Sequence, residues 1–103
     1  MPQNKRQLFD SKRQLTSTMA QALCHPARLD IIDLLNKHGF MLCGEITDQL
    51  PLVQATVSQH LVILMGANII IREVNFEVVG YQLNTEGWNE AKNHIKRFFA
   101  EVG

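Results

Sequence analysis

The segment from Gly44 to Leu61 constrains the fold of this 103-residue chain more than any other part of it. It predicts two short helices separated by a tight turn near Pro51, the second with small and amide side chains on one face. This is the layout of a helix-turn-helix, whose second helix lies in the DNA major groove and presents side chains to base edges. The segment therefore predicts a DNA-binding protein.

Length and composition are typical of one folded domain, residues 1–103. A chain of this size buries a core without disulfides or a metal, and its 46% apolar and 19% charged residues are ordinary. No apolar run approaches the roughly 20 residues that a membrane span needs. Residues 1–6 are basic and predicted to be flexible, and they do not lead into the apolar core of a signal peptide. We therefore expect a cytoplasmic protein that does not associate with membranes.

Hydrophobic spacing and turn residues predict a mainly α fold with a β-hairpin wing, in the order α-α-β-α-α-β-β-α. Helices are expected over 7–23, from Ala27 to Lys37, and over 85–100. The helix-turn-helix spans 44–65, a short extended piece covers 40–42, and the wing spans 69–84. The second helix is expected to bury Leu29, Ile32, Leu34 and Leu35. The resulting fold class is a winged helix-turn-helix.

The terminal helices carry more apolar surface than a compact winged helix-turn-helix can cover. An exposed apolar patch of this kind usually marks an interface, and a homodimer would place two recognition helices about 34 Å apart in successive major grooves. The predicted interface residues are Leu8, Leu15, Met19, Trp88, Ile95, Phe98 and Phe99. An alternative for some of these aromatic and apolar residues is a cavity for a small apolar effector, lined by Phe9, Met19, Trp88 and Phe98.

Three motifs, in order, resemble those of ArsR-type winged-helix repressors. Residues 22–35, Ala-Leu-Cys-His-Pro-Ala-Arg-Leu-Asp-Ile-Ile-Asp-Leu-Leu, resemble the A-L-x-H/D-P-x-R-L-x-I-L-x-L-L signature of that family. Residues 54–61, Gln-Ala-Thr-Val-Ser-Gln-His-Leu, are similar to its Q-S-T-V-S-R-H-L recognition helix, and Tyr81-Gln82-Leu83 to its Y-x-L at the end of the wing. The resemblance covers roughly residues 15 to 100.

The resemblance implies a dimeric transcriptional regulator, commonly a repressor, that binds a partly palindromic operator in double-stranded DNA and is released by a signal. Carried over by position, the residues at or near the groove would be Gln54, Thr56, Ser58, Gln59 and His60. Amides can pair with adenine, and hydroxyls can reach phosphates or base edges. The wing would approach the flanking backbone, with Arg72 as its main positive charge.

The sequence lacks the metal sites that the resemblance would imply. Leu42 and Gly44 occupy the two cysteine positions of the family's thiolate site. At its second site, on the last helix, the corresponding residues are Thr85, Gly87, Phe98 and Glu101, of which only one could bind a metal. We therefore expect no metal and no other cofactor. The two cysteines, Cys24 and Cys43, are either reduced small side chains or a redox-switching pair, provided that their thiols approach each other.

Charge distinguishes two hypotheses for function. The chain has ten basic and ten acidic residues and no net charge, and its recognition helix has no cation, although phosphate contacts govern DNA affinity. The leading hypothesis is a metal-independent repressor that occupies operator DNA as a homodimer. The alternative is a winged-helix protein-interaction module with weak or lost DNA binding, using Val62, Met65 and Phe76. We do not expect an enzyme, because no catalytic triad, paired carboxylates or phosphate loop is found.

Overall fold

The computed structural model describes residues 5–103 of the chain. Within these residues a short 3-10 helix, Lys5–Leu8, precedes five α-helices and a two-stranded antiparallel sheet. The elements are α1 (Ser11–Ala22), α2 (Pro26–His38), α3 (Cys43–Asp48), α4 (Gln54–Gly66), β1 (Ile70–Asn75), β2 (Val78–Leu83) and α5 (Thr85–Glu101). This order confirms the predicted mainly α winged helix-turn-helix.

The first helix is shorter than its predicted span of 7–23. Asp10 has extended backbone angles and is the N-cap of α1, a position that Asp favours. Of the segment predicted to be flexible, residues 1–4 lie outside the described residues, and Lys5 and Arg6 begin the 3-10 helix. The apolar residues at the start of the predicted helix therefore lie on a separate short turn.

The core lies between α2, the helix-turn-helix and the base of the wing. Its fully buried members include Ile31 and Leu35 from α2, Ile46 from α3, and Leu61 and Leu64 from α4. The prediction that Leu29 faces the core was wrong: Leu29 is 49% exposed, whereas Ile31 is completely buried. The buried face of α2 repeats at intervals of three and four residues from Arg28, and this repeat turns Leu29 outward.

The predicted extended piece at 40–42 forms a single β-bridge beside the wing. The Met41 N–H donates to the Tyr81 carbonyl at 2.9 Å, and the Tyr81 N–H donates to the Met41 carbonyl at 2.8 Å. The adjacent Gly80 allows this close approach, because a Cβ there would overlap the ring of Phe40. The sheet therefore packs against the chain that leads into α3.

The two-residue turn of the wing has an uncommon backbone. Phe76 and Glu77 have φ angles of 50° and 65°, and they connect the paired residues Asn75 and Val78. Positive φ at both central residues is the pattern of a type I′ turn, where Asn and Gly are preferred. The tip thus has a backbone conformation that its two side chains disfavour.

The last helix is joined to the end of α4 through two asparagines. The Asn84 side-chain amide donates to the Asn68 Oδ1 at 3.0 Å, and the Asn84 N–H donates to the Ile69 carbonyl at 2.9 Å. Gly87 lies against the Asn68 carbonyl, with no room for a Cβ. Beyond this contact, α5 packs against α1. None of the helices within residues 5–103 has the length and apolar character needed to cross a membrane.

Candidate nucleic-acid interface

The recognition helix α4 has a buried face and a continuous exposed face. Val57, His60, Leu61 and Leu64 are buried. The exposed residues lie on the opposite side: Gln54, Ala55, Gln59, Val62, Ile63 and Gly66. This exposed face is polar near its N-terminus and apolar near its C-terminus. It is the part of α4 that can enter a DNA groove.

The predicted DNA contacts on α4 differ in their accessibility. Gln54 and Gln59 are exposed, and their amides can form paired hydrogen bonds to adenine. Thr56 and Ser58 are half-buried, and the Ser58 hydroxyl lies 3.5 Å from the Cys43 thiol on α3. Ser58 thus contacts the first helix of the motif, so the two glutamines are better placed to reach bases.

His60 does not face the groove side of α4, contrary to the prediction. Its side chain is 8% exposed, and its Nδ1 lies 2.9 Å from Nη1 of the buried Arg28 on α2. The His25 ring packs against it, with ring centroids 4.4 Å apart. The reason is helical spacing: His60 lies three residues after Val57 and four before Leu64, on the face that packs against the core.

The wing presents one cation among apolar and acidic residues. Arg72 is exposed on β1, next to Glu73. At the tip, the Phe76 side chain is 94% exposed, and Glu77 follows it. Val74 and Val79, paired across the two strands, are also exposed. The wing therefore has one positive charge to place near a phosphate, and its tip is aromatic and acidic.

Three arginines of the N-terminal half make contacts within the chain. Arg28 is buried and uses its guanidinium for internal hydrogen bonds. Arg6 donates to the Gln14 carbonyl at 2.7 Å and to the Thr18 hydroxyl. The Arg13 guanidinium lies over the Phe98 ring, 5.0 Å from its centroid. The Arg28 guanidinium is therefore not available to contact a DNA phosphate beside the recognition helix.

The apolar residues proposed as a protein-interaction surface are only partly exposed. Val62 and Phe76 are exposed, but Met65 is half-buried and packs against the core. Ile63, which was not predicted to belong to this surface, is exposed beside Val62. A helical projection places Ile63 one turn after Gln59, and this periodicity could have identified it.

The terminal helices expose most of the predicted interface residues. Leu8, Leu15, Phe98 and Phe99 are exposed, whereas Trp88 and Ile95 are half-buried. Met19 is 4% exposed within the single chain, so little of its side chain is left to contact a partner. It lies on the buried side of α1, which also includes Ala22.

The residues considered for an effector cavity are separated in the single chain. Phe98 lines a depression between α1 and α5 together with His94 and Arg97. Phe9 lines another depression, beside Arg13, and Trp88 lines a third, against α2. The structure therefore does not bring the four predicted residues together around one cavity within the chain.

The thiols and other metal-binding side chains are dispersed over the described residues. Cys24 is exposed and Cys43 half-buried, both with free thiols. Cys24 accepts a hydrogen bond from Arg28 at 3.3 Å, whereas Cys43 contacts Ser58 on α4. Between residues 5 and 103 there is no group of three or more His, Cys, Asp or Glu side chains that could hold a metal ion.

Comparisons with known proteins agree with this geometry. The family model for bacterial regulatory proteins of the arsR family matches residues 25–72. The transcriptional repressor SdpR of Bacillus subtilis (strain 168) is 32% identical over 78 residues, which cover 76% of this chain and 86% of SdpR.

Two solved structures illustrate the likeness of the fold. An ArsR-like transcriptional regulator from Rhodococcus sp. RHA1 superposes with a TM-score of 0.74 at 17% identity, over 84% of this chain and 79% of that one. The transcriptional repressor PagR of Bacillus anthracis superposes with a TM-score of 0.66 at 28% identity, over 84% of this chain and 94% of PagR.

Proposed function

Because the chain belongs to the arsR family of bacterial regulatory proteins, which are DNA-binding transcriptional regulators, we propose that it is a repressor that occupies operator DNA as a homodimer without bound metal. The observation that best supports this proposal is the exposed face of α4, which presents Gln54 and Gln59 from a helix anchored in the core. SdpR and PagR, which this chain resembles, are both transcriptional repressors.

Exposed apolar side chains on the terminal elements support the homodimer. Leu8 and Phe99 are each more than two-thirds exposed, and Leu15 and Phe98 add to the apolar surface. In water such side chains are stabilised by burial against a second copy, and a two-fold interface would use the same surface on both chains. Two copies would then present two α4 helices to a palindromic operator.

Metal independence is supported by the residue types at the family's metal positions. Leu42 and Gly44 have no ligating side chain, and a lone thiol such as Cys43 is a poor site for a soft metal ion. We therefore propose that the regulatory signal is not a metal ion. Signals of other kinds are a small molecule, a protein partner or oxidation of the cysteines.

The first experiment selects operator sequences from random double-stranded DNA, at low and then physiological salt, with a metal chelator present. We expect enrichment of an inverted repeat, with half-sites about one helical turn apart. The variant Gln59→Ala should bind the enriched site about tenfold more weakly, because a bidentate base contact is worth about 1–3 kcal/mol. The matched control is Asn93→Ala, which removes an exposed amide from α5. Equal losses in both variants would contradict the role of Gln59.

The exposed Val62 provides a separate test of where DNA lies. Val62→Lys adds one cation per chain to the exposed face of α4, and a dimer would gain two phosphate contacts. Since each contact contributes about 0.9 to the slope of log K against log salt, the slope should steepen by about 1.8. Val62→Gln is the uncharged control, and an unchanged slope in Val62→Lys would show that α4 does not lie against DNA.

A second candidate function has its own supporting observation. Val62, Ile63 and Phe76 are exposed apolar side chains on the face where a DNA-binding protein usually presents cations. If no sequence is enriched at low salt and Val62→Lys also fails to bind DNA, a protein partner at this face becomes the better explanation.

A further inference from the structure

Arg28 is a buried cation whose hydrogen-bond partners within residues 5–103 are uncharged groups. Its guanidinium is on α2 and is 5% exposed. Nε donates to the Ala22 carbonyl at 2.8 Å, and Nη2 donates to the Gln21 carbonyl at 3.0 Å and the Cys24 Sγ at 3.3 Å. Nη1 completes the set at 2.9 Å from the His60 Nδ1. One side chain thus connects the end of α1 with the recognition helix.

This hydrogen bond fixes the protonation state of His60. A guanidinium can only donate, so the His60 Nδ1 must accept, and the ring is neutral with its proton on Nε2. The neighbouring His25 is constrained in the same way, because its Nδ1 accepts from the Ala27 N–H at 3.0 Å and thereby caps α2. Protonation of Nδ1 on His60 would remove the acceptor of Arg28 and place two cations in contact.

The position of His60 makes this contact important for α4. Gln59, the preceding residue in the chain, lies on the exposed face, so the rotation of α4 that buries His60 also determines where the Gln59 amide points. Val53, the N-cap residue of α4, makes no side-chain capping hydrogen bond. The hydrogen bond between Arg28 and His60 links the buried face of α4 to α2.

We propose that Arg28 and His60 are positioning residues that hold α4 in the orientation required for DNA binding, and that protonation of His60 releases this hold, so that acidification weakens DNA binding. The proposal rests on the proposed DNA-binding function. Neither residue needs to touch DNA, and both act through the placement of the exposed face of α4.

The electrostatic surroundings of His60 support this direction. Burial lowers the pKa of His60, and the nearby His25 and Arg28 lower it further. On the other elements packed against α4, the titratable side chains are engaged or exposed. In α3, Glu45 accepts from the Leu42 N–H at 2.9 Å, Cys43 contacts Ser58 and Asp48 is exposed.

The remaining charged side chains on the elements packed against α4 are exposed or paired: on α2, Asp30 is exposed and Asp33 pairs with Lys37 at 3.0 Å. On β1, Arg72 and Glu73 are exposed on the wing. At the junction of α1 and α2, the Cys24 thiol accepts from Arg28. Acid therefore leaves a protonated His60 facing a guanidinium and a second imidazole.

The direction in which acid changes DNA affinity distinguishes protonation of the buried His60 from protonation of an exposed histidine. Protonation of an exposed histidine adds positive charge and strengthens binding to a polyanion. Protonation of His60 should do the opposite, because it disturbs the helix that carries the DNA contacts. One proton linked to binding changes the dissociation constant by at most about tenfold per pH unit for each chain.

The experiment measures operator affinity between pH 7.5 and 5.5 for the full chain and two variants. His60→Asn keeps a side-chain acceptor for Arg28 but does not titrate, and His38→Asn is the control at an exposed histidine on α2. We expect acid to weaken binding by the native chain and by His38→Asn, and to weaken binding by His60→Asn much less. The slopes against pH are compared rather than the absolute affinities. Equal slopes in the native chain and His60→Asn, or stronger binding of the native chain in acid, would overturn the proposal.

A measurement on the free protein tests the positioning role of His60 separately from the proposed DNA-binding function. The protection factors of the α4 amides, which correct for the slower intrinsic exchange in acid, should fall on acidification in the native chain but not in His60→Asn. In His25→Asn, which keeps a capping side chain, the NMR titration of His60 should move to higher pH, because the neighbouring imidazole that lowers the pKa of His60 is gone. Failure to bind any DNA at any pH would refute the proposed function. If acid changes the protection of the α4 amides equally in the native chain and in His60→Asn, the positioning role is refuted, whether or not DNA binds.

Discussion

Replacing the wing-tip pair Phe76-Glu77 with Asn-Gly should stabilise the protein. Both residues have positive φ angles, 50° and 65°, and a left-handed backbone costs an ordinary side chain about 1–2 kcal/mol. Asn tolerates this conformation and Gly adopts it freely, although Gly loses about 1 kcal/mol of additional chain entropy on folding. The Phe76 side chain is 94% exposed, so its removal sacrifices little packing. The net gain should be about 1–2 kcal/mol.

Thermal unfolding followed by circular dichroism measures this gain. For a chain of this length, about 1 kcal/mol corresponds to a rise of about 4–8 °C in Tm. Protein concentration must be held constant, because dimerisation would couple Tm to concentration. The control variant, Phe76→Ala with Glu77→Ala, removes the same side chains but keeps a Cβ at both positive-φ positions. If the Ala-Ala variant gains as much as Asn-Gly, or if Asn-Gly gains nothing, backbone strain at the wing tip is not the cause.

Two further predictions concern the packing and pH dependence of the free protein. Gly87→Ala should lower the free energy of unfolding by about 3 kcal/mol in urea titrations, because its Cβ would overlap the Asn68 carbonyl. Gly44→Ala is the matched control, because a Cβ there meets nothing within 4 Å, and an equal loss would rule out the overlap. Since the pKa of His60 is lowered by burial, His25 and Arg28, the unfolded chain binds more protons, and stability should fall as the pH drops below about 6.5. His60→Asn should remove that part of the pH dependence, and an unchanged profile would contradict it.

The elements of the fold could be predicted because their signals are local. Pro26 begins α2, Gly39 ends it with a φ of 74°, and the β-branched segments of the wing pair with a two-residue turn. Each signal depends on neighbours a few residues away. The first helix was placed too early, because apolar spacing continues through Leu8 and Phe9, although the 3-10 turn ends at Leu8 and Asp10 holds the extended N-cap position before α1.

The sequence pattern of α2 does not determine which of its side chains are buried. Leu29, Ile31 and Ile32 are all apolar, and only the packing partners decide which of them is buried. The buried face of α2 includes the charged Arg28, which a hydrophobic pattern assigns to solvent. Its acceptors are the carbonyls at the end of α1 and a ring 32 residues away. The carbonyls lie within a short window of sequence but the His60 ring does not, and nothing local indicates that the α1 carbonyls face Arg28, so its burial could not be predicted.

The candidate site shows how a motif and a periodicity must be combined. The resemblance assigned five of the seven residues from Gln54 to His60 to the groove, but a helix with 3.6 residues per turn cannot present all of them to one side. Val57, Leu61 and Leu64 form a buried apolar stripe, and His60 lies on the same stripe at the spacing of three and four residues. The hydrophobic pattern alone could therefore have predicted that His60 is buried and that Gln54 and Gln59 are exposed. A polar residue at a buried position requires a partner, and for His60 that partner is the equally buried Arg28. The motif thus includes residues of two kinds: exposed side chains available to DNA, and buried side chains that hold the helix in place.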